Sequence, residues 1–190
     1  MAASKGRGWP LFLTVTLLAL AADLVSKEWV FAARGMPGQS APVPVLPPWL
    51  VLETNLNEGA LFGMGQGMGA VFATVSVAAV VGILMLVAKP TTRHDRVLLV
   101  ALGMIVGGIL GNLYDRLGLT GLRWHAASGR EGQAVLAVRD WIHFEIPGIL
   151  DWPIFNIADS WLVIGAAVLL VTSFVTREIA ATDTPRQTGP

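Results

Sequence analysis

The sequence predicts an all-α polytopic membrane protein with four transmembrane helices, and three observations carry that expectation. Of its 190 residues, 54% are hydrophobic and only 14% charged, where a soluble domain is nearer a quarter charged. Apolar runs close to the roughly twenty residues a bilayer requires recur at about 9–31, 69–88, 97–114 and 158–176. Between them lie two long connections, 34–68 and 117–156, rich in polar, Gly and Pro residues. The length fits one domain, 1–190. A formal charge of zero leaves no nucleic-acid footprint. The absence of cysteine excludes disulfides, thiolate metal sites and a Cys nucleophile.

The first run, Trp9 to Phe31, follows a short basic start with Lys5 and Arg7. Ala19-Leu20-Ala21 has the form of a signal-peptide cleavage site, but the run continues past it and three more follow, so a retained span is favoured. Asp23 and Lys27 stand four apart, acid first, which suits an intrahelical ion pair. Spacing alone favours a simple pair near the lipid interface over one that turns inward to orient a site. From Arg34 to Pro48 the prolines and glycines exclude helix and predict an extended connection. Trp49 to Thr54 reads as a short strand. The glycine-rich loop after Asn57 lacks the Lys-Ser/Thr and the strand–loop–helix setting of a phosphate cradle; it also suits a flexible lead-in to the second span.

Lys89, Arg93, His94, Asp95 and Arg96 form a polar turn before the third run, Val97 to Tyr114. Gly107, Gly108 and Gly111 give that helix a small face for close packing in lipid. At its end stand Asn112, Asp115 and Arg116. Asp115 beside an Arg reads as a structural anchor before a catalytic group. In the second connection, Ala134 to Phe144 is extended and bulky, with Asp140 within or at the end of a strand. Asn156 and Asp159 stand three apart at the mouth of the last run, a spacing that puts them on one helix face. An ionisable group there is a functional hypothesis by default. The tail, about 180–190, is polar and expected to be disordered.

Four spans put both termini on one side, and Lys5, Arg7, Lys89, Arg93, Arg96 and Arg177 mark it as cytoplasmic by the positive-inside rule. The two large connections then face outward. Asn57, Asn112, Arg116, Asp140, Asn156 and Asp159 collect at one membrane face, with Asp23 and Lys27 at the same level. Two carboxylates that share a site cannot both ionise easily, so one keeps its proton while the other accepts one from water. That is peptide hydrolysis of the aspartic type.

Five ordered segments now give a resemblance. Asp23-Leu24-Val25-Ser26-Lys27, Asn57-Glu58-Gly59-Ala60-Leu61-Phe62, Gly107 to Arg116 (G-G-x-x-G-N-x-x-D-R), Val138-Arg139-Asp140-Trp141-Ile142 and Phe155-Asn156-Ile157-Ala158-Asp159-Ser160 resemble the motifs of the lipoprotein signal peptidases, the type II signal peptidase family. The resemblance implies a small extracytoplasmic β-rich cradle on the four helices, a site near the outer face of the bacterial plasma (inner) membrane, and no cofactor or metal. It implies diacylglyceryl-modified prolipoproteins as substrates, cut before the lipidated cysteine, and contact with membrane lipids. Asp140 and Asp159 would be the catalytic pair, Asn57, Gly59, Asn112, Arg116 and Asn156 the polar shell, and Asp23 with Lys27 a supporting pair. Two departures stand out: Trp141 where the family has Phe, and an insertion around Arg123 to Ala134. Competing expectations are an ion- or proton-coupled transporter, which predicts acids spread through the membrane depth, and an inactive binding homologue. A serine hydrolase using His143 or Ser160 lacks a nucleophile-elbow motif.

Overall fold

The computed structural model describes residues 8–59, 64–125 and 128–182, with side chains as far as Val175. Lys5, Arg7, Ala60 to Gly63, the side chain of Arg177 and the tail 183–190 lie outside the described residues. In chain order the elements are helix α1 (Gly8–Arg34), strands β1 (Val43–Leu46) and β2 (Leu50–Asn57), helices α2 (Gly69–Ala88) and α3 (Arg96–Arg116), strands β3 (Val138–Ile146) and β4 (Leu150–Phe155), and helix α4 (Ile157–Thr182). All four helices are long and apolar enough to cross a membrane, α4 over Ile157–Val175.

The all-α expectation needs correction, because the strands form one antiparallel sheet in the order β1-β2-β3-β4. Only part of it was legible. β1 carries Pro44 and β4 carries Pro153, and both are edge strands, where a missing N–H disrupts no ladder. Proline punctuation therefore made Arg34 to Pro48 read as a mere connection and hid β4 within the second one. Helices α1, α3 and α4 also run longer than their apolar cores, whereas α2 matches its run. Helix α1 passes straight through Asp23, Ser26, Lys27 and Glu28, because Asp23 and Lys27 are buried against each other.

Helix α3 is the central post. Its glycines let neighbouring backbones approach in the manner of small-residue membrane packing. A Cβ on Gly111 would press into the Asp23 carboxylate of α1, and one on Gly108 into the Ala158 carbonyl of α4. Asp95 caps the start of α3 by accepting a hydrogen bond from the Leu98 N–H at 2.9 Å, which satisfies one orphan donor of the first turn. Farther along, Phe12, Val87, Leu99, Leu102 and Val106 form the apolar core. Gly8 of α1 lies against Arg93 of the α2–α3 turn, so that end of the bundle is opposite the sheet. Pairing of β2 with β3 sets Asn55 across from Asp140 and Asn57 across from Val138. The sheet thereby delivers Asp140 to the α3–α4 junction.

Candidate active site

The site begins with the entry into α4. Asn156 precedes the helix, so it does not share a helix face with Asp159 as their spacing predicts. Its Oδ1 accepts the Asp159 N–H at 3.0 Å, and Asp159 Oδ2 accepts the Asn156 N–H at 3.2 Å. This reciprocal pair is a capping box built from amide and acid, and it fixes the Asp159 carboxylate relative to Asn156. The Asn156 Nδ2 then donates to Asp140 Oδ1 at 2.6 Å and to Asn112 Oδ1 at 3.1 Å. Asn112 Nδ2 in turn donates to Asp159 Oδ1 at 2.8 Å. Two asparagines thus tie the two carboxylates into one frame.

Behind the frame lies a charged network with no access to water. Lys27 donates to Asn112 Oδ1 at 2.9 Å and pairs with Asp23 at 2.7 Å and Asp115 at 3.0 Å; all three ionic side chains are fully buried. The interfacial pairing that spacing favours for Asp23 and Lys27 is therefore corrected: the pair turns inward. Asp23 also accepts the Ala158 N–H at 2.9 Å, which ties α1 to the first turn of α4. Asp115 is an anchor, as its sequence setting suggests, but Arg116 is not its partner. Arg139 is, through its backbone N–H and its Nε, both at 3.0 Å. Arg139 reaches on to Glu28 at 3.1 Å.

Sequence reasoning missed Arg139 and Glu28. A signal was present, since a charge in the apolar run before Asp140 needs a buried partner. Arg116 instead donates to the Gly59 carbonyl at 3.0 Å and lies 5.5 Å from the centre of the Phe72 ring. Asn57 accepts the Gly59 N–H at 2.9 Å and hydrogen-bonds to Asp140. His143 and Ser160 are engaged elsewhere: His143 lies between Asp151 at 2.8 Å and Glu53 at 3.2 Å, and the Ser160 hydroxyl donates to the Asn156 carbonyl.

Asp140 and Asp159 line one cavity of about 720 Å³, together with Asn57, Asn112 and Arg116. Gln66, Ser76, Ile109, Leu162 and Val163 also line it; the sequence did not single out Ile109, Leu162 and Val163 because apolar residues of a span look alike. Burial, foremost, and the neighbouring Asp159 charge push the Asp140 carboxyl up to about 7, against hydrogen bonds from Asn156 and Asn57 and the charge of Lys27. An acid that keeps its proton near neutrality beside a second carboxylate can give and take protons in turn.

Four apolar helices and a small sheet, with two carboxylates of unequal environment in one cavity, define the class as a polytopic membrane protein. Comparison with known proteins then gives the family. The family model described as signal peptidase II matches residues 15–175, and the chain belongs to that family of peptidases. The lipoprotein signal peptidase of Rhodopirellula baltica is 42% identical over 177 residues, covering 90% of this chain and 77% of that relative. That of Bacillus subtilis is 32% identical over 161 residues, 85% of this chain and 91% of the relative. Among solved structures, a bacterial membrane enzyme determined by the in meso method at 2.3 Å superposes with a TM-score of 0.69 at 24% identity, covering 94% of this chain and 93% of the other. A second, at 1.9 Å, gives 0.68 at 26% identity over 89% and 96%.

Proposed function

We propose that this protein is a membrane aspartic endopeptidase that removes signal peptides from diacylglyceryl-modified prolipoproteins, cutting before the lipidated cysteine. Asp140 and Asp159 are its catalytic pair. The observation that carries this reading is the asparagine frame, which holds two carboxylates of different environment in one cavity. Relatives named lipoprotein signal peptidase support the substrate class.

The chemistry follows from the asymmetry. In this reading Asp140, its carboxyl raised to about 7, carries the proton, and Asp159 acts as the base. Asp159 takes a proton from water as the water oxygen attacks the scissile carbonyl carbon. Asp140 gives its proton to the carbonyl oxygen, which yields a neutral gem-diol. Asp159 then passes its proton to the departing amine nitrogen, the C–N bond breaks, and Asp140 recovers a proton from a diol hydroxyl. No net proton is gained, so the site is ready for another turnover. Asn112 and Asn156 keep both oxygens aimed while charge moves. Lys27 supplies a buried positive charge that steadies the frame.

The apolar side of the cavity, Ile109, Leu162 and Val163 with Ser76 of α2, suits the diacylglyceryl chains and marks entry between α2 and α4. The chain acts as a single membrane-embedded peptidase domain. Both termini are cytoplasmic, with the basic turn Lys89 to Arg96, and the sheet and site lie at the outer face. The reading calls for no cofactor.

The test is cleavage in lipid of two matched prolipoprotein substrates, one diacylglyceryl-modified on its cysteine and one unmodified. The modified substrate should be cut before the cysteine and the unmodified one at least about tenfold more slowly, as loss of bound apolar surface requires. Equal rates on both would contradict the substrate assignment.

A further inference from the structure

The segment between α3 and β3 is not a loose appendage. Arg123 and Ala134 form a β-bridge, the Trp124 N–H donates to the Gln133 carbonyl at 2.9 Å, and the Val135 N–H donates to the Leu122 carbonyl at 3.0 Å. Leu122 and Trp124 pack on Met36, Val135 and Ala137, so the lobe is rooted between the end of α1 and the start of β3. At its tip, Gly129 and Gly132 take left-handed backbone, φ 69° and 77°, which glycine adopts without strain. Ser128 Oγ accepts the Arg130 N–H at 3.1 Å. The Arg130 guanidinium lies 3.8 Å from the centre of the Trp124 ring, a cation–π stack. From there it pairs with Glu58 at 2.5 Å.

Glu58 sits in the turn that reaches the site from two sides. Its neighbour Asn57 hydrogen-bonds to Asp140 and to the Gly59 N–H, and the Gly59 carbonyl receives Arg116. Glu58 and Arg116 also line a second cavity of about 570 Å³, with Gly69, Ala70 and Leu136, which adjoins the first at Arg116. An exposed ion pair alone is worth little. Here one partner is pre-set by the lobe, and the other belongs to the turn that carries the contacts to Asp140 and Arg116.

We propose that Arg130 is a positioning residue: through Glu58 it fixes the Asn57–Gly59 turn, and so the placement of Asn57 against Asp140 and of Arg116 beside the cavity. The inference rests on the reading of Asp140 as a catalytic acid. In a chain without this lobe the turn would need another brace.

The experiment measures cleavage of a diacylglyceryl-modified substrate by the full-length protein in lipid. Arg130→Glu and Glu58→Arg should each lower kcat by about tenfold with KM changed less than about twofold, and the double reversal should recover most of the loss, as a coupled pair requires. Arg130→Lys, which keeps the charge but loses the planar stack on Trp124, should fall between the wild type and Arg130→Gln. The second readout is the alkaline limb of the pH–rate profile. Asp140 is faced by Asp159 and Asn156 at α4, Asn57 of β2, Lys27 of α1 and Arg116 of α3. Of these, Asn57 holds its proton affinity down and is the one that moves with the turn. Glu58→Gln and Arg130→Gln should therefore both shift the limb upward. Simple loss of the Glu58 charge would shift it downward, so the direction separates positioning from bare electrostatics. Glu131→Gln, the same kind of charge change next door at an exposed residue, should leave it in place.

Failure of the double reversal to recover kcat, or an unmoved or lowered limb in Glu58→Gln, overturns the proposal. Should Asp140→Asn still cleave, the catalytic reading itself fails. Should Asp140→Asn be inactive while the Arg130 and Glu58 variants match the wild type, only this inference falls.

Discussion

Two parts of the helical bundle are built differently. One is the α1–α3–α4 wall, where α3 alone buries eleven residues, among them Gly107, Gly108, Gly111, Asn112 and Asp115. The other is α2, of which only Val87 is buried. In the first wall every approach is specified: glycines admit neighbouring backbone, and Lys27, Asp23, Asp115 and Arg139 satisfy one another out of reach of water. In the second, side chains such as Val75, Val81 and Met85 are left bare for lipid to cover. The difference teaches a division of labour. Asn112 stands on the buried post α3 and Asp159 in the first turn of α4, whereas α2 buries only Val87. Precise placement of reacting groups and admission of a bulky substrate need opposite mechanical properties, and under the proposed function they would fall to different helices.

The largest expected effect breaks the rigid wall at its chemistry. Asp140→Asn and Asp159→Asn should each lower kcat by about a thousandfold or more while the protein still inserts and folds, because each removes a proton carrier rather than a contact. Next comes the frame. Asn112→Ala removes the donor to Asp159 and the acceptor shared by Lys27 and Asn156, and should cost about a hundredfold in kcat. Lys27→Met leaves Asp23 buried without its cation and Asp115 with Arg139 alone, at a cost of about 3–5 kcal/mol, visible as a lowered unfolding temperature in detergent.

The comparison is sharpened by a matched pair of glycines. Gly108→Ala in α3 forces a methyl group against the Ala158 carbonyl and should lower the unfolding temperature by several degrees. Gly82→Ala in α2 meets nothing within 4 Å and should be neutral or slightly stabilising, by up to about 1 kcal/mol from helix propensity. Equal damage from both would show that α2 is packed as tightly as α3.

The smallest effect is on stability against pH. The carboxyl of Asp140 is raised in the folded protein from 3.8 to about 7, so the native state binds the extra proton. Its burial therefore costs stability as pH rises through that window and costs most above 7. Asp140→Asn escapes this cost. Its unfolding temperature should exceed that of the wild type by a few degrees at pH 8, with the gap closing toward pH 4.

Much of this was legible in the sequence because its signals are strong ones. Four apolar runs announce four helices, and the ordered segments around Asn57, Asn112, Asp140 and Asp159 announce one site. What stayed hidden was set by tertiary pairing. Edge strands β1 and β4 carry prolines that read as loop, and their strand character appears only against β2 and β3. The inward turn of Asp23 and Lys27 depends on Gly111 making room, which spacing along α1 does not reveal. Arg139 is a charge whose partner lies on another element, and Arg130 meets Glu58 only once the lobe has folded back. Local pattern names the elements, whereas long-range contacts decide which polar groups meet.

The central claim is that burial beside Asp159 in the asparagine frame keeps Asp140 protonated near neutrality. Infrared spectra of the wild-type protein and Asp140→Asn in lipid, recorded from pH 5 to 9, test it directly. The wild type should show a protonated carboxylic C=O band that titrates away with a midpoint near 7, and the variant should lack it. A wild-type spectrum without such a band, or one that Asp140→Asn leaves unchanged, would contradict the account.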